Sequence, residues 1–97
     1  GRDDARQRRQ DAAKRREQLR PLKKEVEKLE KALDRESAAL TEVETALGDE
    51  TLYTDAGRKD ELQSLLARQG ELKSQHEELE MALLDAMERL EAAEAEV

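Results

Sequence analysis

Cysteine, tryptophan, phenylalanine and isoleucine are absent from this 97-residue chain; Tyr53 is its one aromatic residue and Pro21 its one proline. Without cysteine there is neither a disulfide nor a thiolate metal site. With only three β-branched aliphatics, Val26, Val43 and Val97, the chain lacks the filling that a compact globular core of this length would need. No apolar run approaches the roughly 18 residues that cross a bilayer, and no apolar stretch follows the basic N-terminal segment as it would in a signal peptide. No membrane contact is therefore expected, and the cytoplasm is the expected compartment. Phosphate-cradling glycine loops of the GxxxxGK[ST] or G-x-G-x-x-G type are also missing. The single histidine, His76, falls in a repeating apolar row, where it reads as a tolerated packing residue rather than a ligand. Glu77, Glu78 and Glu80 lack a second ligand type and the spacing of a calcium loop, so they read as a solvated face. No catalytic, cofactor or metal residues are assigned, and no enzymatic activity or small-molecule substrate is expected of the chain itself.

What the sequence does have is charge, leucine and alanine: 44% of residues are charged, with 15 Leu and 14 Ala. Low hydrophobicity and a net charge of −7 would also suit disorder. The placement of the leucines decides between the two. From Leu19, steps of three and four residues reach Leu22, Val26, Leu29, Leu33, Glu36, Leu40, Val43 and Leu47. From Leu62 the same steps reach Leu65, Gln69, Leu72, His76, Leu79, Leu83, Ala86, Leu90, Ala93 and Val97. A 3.5-residue period sustained this long is the seam of a coiled coil, and the expected fold class is all-α.

Gly48 to Gly57 separates the two seams. Gly48 is placed to end the first helix in a left-handed conformation, and Thr54 or Asp55 to cap the second. A turn over about 48–55 lets the chain fold back, which predicts an antiparallel two-helix coiled-coil hairpin over 19–97 behind a basic helical lead-in over 1–18. The helices are expected near 19–47 and 55–96, with Pro21 either kinking a longer helix or starting a new one. Matching polar seam positions sets the expected register. Val43 then faces Leu62, Leu40 faces Leu65, Leu33 faces Leu72, Val26 faces Leu79 and Leu22 faces Leu83, and Glu36 meets Gln69 in one polar layer. Leu52 and Tyr53 are the large apolar groups outside the heptads and are expected to pack over the end of the core. Gly70, beside the polar layer, is expected to soften the second helix.

Charge is distributed unevenly. Residues 1–24 hold ten bases against four acids, a net of +6, whereas the remaining eight bases and 21 acids give −13. A basic block of this kind suits phosphate while the acidic remainder repels it. The alternative reading is a solvated linker.

The runs Pro21-Leu22-Lys23-Lys24-Glu25-Val26-Glu27-Lys28-Leu29-Glu30, Leu47-Gly48-Asp49-Glu50-Thr51-Leu52-Tyr53 and Glu80-Met81-Ala82-Leu83-Leu84-Asp85-Ala86 occur in this order. Together they resemble the C-terminal coiled-coil domain of ABC-F proteins, soluble tandem ATP-binding-cassette ATPases, and above all the bacterial YheS-like and Uup-like types. Glu50 stands where many members have proline, and Ala82-Leu83 where many have Arg-Trp. The resemblance implies a cytoplasmic parent ATPase acting on ribosomes, whose ATP and magnesium are held outside this segment. The partner it implies is a phosphate backbone, of ribosomal RNA or of DNA.

Two functions remain in view. In the first, Arg6, Arg8, Arg9, Arg15, Arg16, Arg20, Lys23 and Lys24 bind nucleic acid electrostatically and without base stacking, since no aromatic is interleaved with them. In the second, the coiled coil is a spacer or a protein-docking module. Its supporting feature is Leu66, Leu84 and Met87, which lie off the seam and either widen the packing stripe or offer a surface. A monomer is expected, with weak self-association left open.

Overall fold

The computed structural model describes residues 1–96, which are almost entirely helical and contain no strand. Helix α1 runs Arg2–Leu47, a single turn of helix α2 covers Thr51–Thr54, a 3₁₀ turn covers Ala56–Arg58, and helix α3 runs Lys59–Glu96. The all-α class follows. Val97, the last position of the second seam, lies outside the described residues.

The heptads account for what is buried. Every seam position from Leu19 to Leu47, and from Leu62 to Ala93, is buried or half-buried, and the positions between them are mostly exposed. A 3.5-residue repeat turns one stripe of each helix inward, and burial of that stripe rather than intrinsic propensity is what stabilises long helices of this kind. Glu25, Ala32, Ala39 and Ala46 recur at seven-residue intervals along one flank of the first seam and are half-buried as well.

α1 passes through Pro21 without a break. Proline removes one amide donor and crowds the preceding turn, but Pro21 and Glu17 are both exposed, so the freed carbonyl of Glu17 is left on the water side. Leu19 and Leu22, on either side in the seam, are buried and half-buried. The basic lead-in is thus the first five turns of α1, and no helix begins near residue 19. Its packing is sparse as expected: Ala5, Ala12 and Ala13 are half-buried and the rest of residues 1–18 exposed.

The chain divides into two compact units, one made of residues 1–30 with the stretch from Ala82 onward, the other of residues 31–81. Leu19, Leu29 and Ala86 are buried in the first. Here Pro21, Leu22 and Glu25 line a shallow cleft together with Ala86 and Arg89. Glu36, Leu52 and Leu72 are buried in the second.

The connection between the long helices departs from expectation in three ways. It extends to Arg58 rather than Asp55, so α3 starts at Lys59. Asp55 does cap, but it caps the 3₁₀ turn, its Oδ1 accepting the Gly57 amide at 2.8 Å. Gly48 is not left-handed. Its amide instead closes the last turn of α1 on the carbonyls of Thr45 and Glu44, at 3.1 and 3.2 Å.

Candidate functional site

The basic block lies on the exposed surface of α1. Arg2, Arg6, Arg8, Arg9, Lys14, Arg15, Arg16, Arg20, Lys23 and Lys24 are all exposed. At 3.6 residues per turn, seven of them, Arg2, Arg6, Arg9, Arg16, Arg20, Lys23 and Lys24, fall within roughly a third of the helix circumference. Arg2, Arg6 and Arg9 line one surface groove with Asp3. From Arg2 to Lys24 the stripe is about 33 Å long at 1.5 Å per residue.

Arg8 and Arg15 stand apart from that stripe. They occupy the positions that continue the apolar seam, and their Nε atoms donate to the Asp4 and Asp11 carbonyls, each at 3.4 Å. Arg20 reaches Glu17 at 2.9 Å, a pair exposed on both sides and so heavily screened. The sequence-chosen set therefore splits. Arg6, Arg9, Arg16, Arg20, Lys23 and Lys24 share a face, Arg8 and Arg15 do not, and Arg2 belongs with the former. Its i, i+4, i+7 spacing with Arg6 and Arg9 is the signal that identifies it.

The polar layer also differs from expectation. Glu36 does not meet Gln69. Its Oε2 lies 2.5 Å from His76 Nδ1, and the other ring nitrogen, Nε2, lies 2.6 Å from Glu80 Oε1. Gln69 instead donates from Nε2 to Glu44 Oε1 at 3.4 Å. The Glu36 contact is offset by seven residues from the one expected. Eleven residues separate Leu47 from Lys59, and Glu36 contacts the one histidine of the second seam. Glu36 is 6% exposed, and its Oε1 has no hydrogen-bond partner among the described residues. The bond to Glu36 is the main cause raising the His76 pKa above its ordinary value; burial opposes it, and the bond to Glu80 adds a lesser rise.

At the connection, Leu52 is 2% exposed and packs as expected, whereas Tyr53 is 59% exposed and does not. The Tyr53 hydroxyl turns back to donate to the Leu47 carbonyl at 2.7 Å, satisfying one of the open acceptors at the end of α1. Arg58 ties the segment together. It donates to Asp49 Oδ2 at 2.9 Å, to the Thr51 hydroxyl, and through Nε and a terminal nitrogen to both oxygens of Glu61 at 2.9 Å. Asp49 Oδ1 takes the Thr51 amide at 3.0 Å and the Thr51 hydroxyl at 2.9 Å. These bonds hold the Asp49 and Glu61 carboxyls below their usual range, Arg58 being the largest cause for both.

Leu66, Leu84 and Met87 remain exposed, so they do not widen the packing stripe. Among the described residues no group of three or more histidine, cysteine or acidic side chains is placed to hold a metal ion, and no helix is long and apolar enough to cross a membrane. Comparison with known proteins gave no match to a family model, a curated protein or a solved structure.

Proposed function

We propose that this chain is the coiled-coil arm of an ABC-F-type ATP-binding-cassette ATPase of the cytoplasm, and that the basic face of α1 contacts the phosphate backbone of ribosomal RNA or DNA. In this reading α1 and α3 form an antiparallel hairpin. The pairs Glu36–His76 and Glu44–Gln69 support it, since the partner's number rises along α3 as the position falls along α1. The observation that carries the nucleic-acid assignment is the stripe of seven exposed bases along one side of an unbroken helix. A linear array of guanidinium and ammonium groups matches a linear array of phosphates. With no aromatic among the bases, binding reads backbone and shape rather than sequence.

Such binding draws its free energy from counterion release. With about four to six of the seven stripe bases engaged, log K should fall against log salt with a slope of about −3 to −5, at 0.7–0.9 per contact. Duplex DNA, duplex RNA and single strands of unrelated sequence, titrated with salt, are the test. Salt-independent binding, or no binding at low salt, rules the assignment out. The competing reading, a protein-docking module, is favoured by one observation: Leu66 and Leu84 stay largely exposed on α3. Loss of nucleic-acid binding from that titration would promote it.

A further inference from the structure

A carboxylate in the apolar seam of a coiled coil is costly unless its oxygens are satisfied, and Glu36 is buried with one oxygen bonded only to His76 and the other to nothing among the described residues. His76 touches a carboxylate at each nitrogen, Glu36 at 2.5 Å and Glu80 at 2.6 Å. Satisfying both requires both ring protons, because a neutral imidazole has a single N–H and presents a lone pair at its other nitrogen. From α1 the charged group facing the ring is Glu36, with Ser37 and Leu40 beside it; from α3 they are Lys73, Glu77 and Glu80. When the ring loses a proton, either Glu36 is left unsatisfied in the seam or Glu80 is repelled.

The same heptads offer Glu36 another partner. Displacing α3 along α1 by seven residues sets Leu40 against Leu65, Val43 against Leu62 and Leu33 against Leu72, all apolar layers, and sets Glu36 against Gln69. The Gln69 amide donates at any pH. Leu52 and the Arg58 bonds oppose the displacement, while the Asp55–Arg58 stretch supplies a segment that can join α3 as it moves. We propose that Glu36, His76 and Glu80 form a proton-controlled register lock, in which doubly protonated His76 holds α3 in the observed register and neutral His76 releases it to the neighbouring one. The inference rests on the antiparallel pairing of α1 and α3 and not on nucleic-acid binding.

A one-heptad displacement moves α3 by about 10 Å along α1, at 1.5 Å per residue. The chain has no cysteine, so nitroxides can be placed singly. Two labelled pairs report the change, Glu44→Cys with Arg68→Cys and Ser37→Cys with Arg68→Cys, all three sites being exposed. Pulsed electron–electron distance measurements at about pH 6 and about pH 9.5, bracketing imidazole titration, should show the 44/68 pair as the shorter at low pH. At high pH a population should appear in which 37/68 becomes the shorter pair and 44/68 the longer. His76→Gln, which does not titrate, should remove the pH dependence, and His76→Leu should give the second population at both pH values. Unchanged distances in the parent chain, or a pH-dependent exchange that persists in His76→Gln, overturn the lock while leaving the hairpin intact. Absence of a short intramolecular distance in either pair at every pH overturns the hairpin, and the lock with it.

Discussion

Glu36 and His76 show how one ionic hydrogen bond turns a sequence irregularity into a pairing rule. Each is a polar intruder in its seam, and the two meet. Because the folded-state pKa of His76 is raised, the contribution is complete below the unfolded value of about 6.5 and is lost as pH rises through the folded value. Thermal melts should therefore show stability falling between neutral and alkaline pH, and His76→Gln should flatten that dependence. At the connection, the burial of Leu52 and the exposure of Tyr53 predict unequal costs. Leu52→Ala should lose about 2–5 kcal/mol of unfolding free energy, and Tyr53→Phe, which deletes only the bond to Leu47, about 1 kcal/mol. Chemical denaturation of the two variants gives the comparison. Tyr53 also marks a limit of reading composition: a lone aromatic suggests core filling, yet its orientation is set by an open carbonyl at a helix end, which exists only once that end is formed.

Among the helices, the seams were legible and the register was not. A 3.5-residue repeat is written locally, and each described seam position is withdrawn from water as the repeat requires. Where α3 begins depends on the bonds of Asp49, Thr51, Asp55 and Arg58, which fold the connection into a helical turn and a 3₁₀ turn. Two pairings one heptad apart match apolar layers about equally well, so hydrophobic pattern alone does not separate them. Pro21 was read as a kink or a start; no helix starts there, since α1 runs through it with its lost donor on the exposed side. Gly70 lies inside α3, and a β-carbon there would meet nothing within 4 Å. Gly70→Ala should thus raise unfolding free energy by about 1 kcal/mol through the helix backbone alone, as a denaturant series would measure.

Across the whole chain the main asymmetry is of charge, +6 over residues 1–24 and −13 over the rest. The acidic remainder repels polyanions, so contact with nucleic acid is expected only along the basic stretch of α1. Arg8 and Arg15 differ from their neighbours in lying where the apolar seam would continue, which the spacing already shows, and their Nε atoms bond to the Asp4 and Asp11 carbonyls. In the proposed function one face of that helix, rather than its total charge, is responsible for binding. Its most direct test is a charge-matched comparison of affinity for duplex RNA and DNA at fixed salt, with Arg6→Gln, Arg9→Gln and Arg16→Gln combined in one variant and Arg8→Gln, Lys14→Gln and Arg15→Gln in the other. The prediction is that the first loses at least tenfold more affinity than the second, to every sequence alike, while both melt as the parent does; equal losses in the two variants, or none in either, would contradict it.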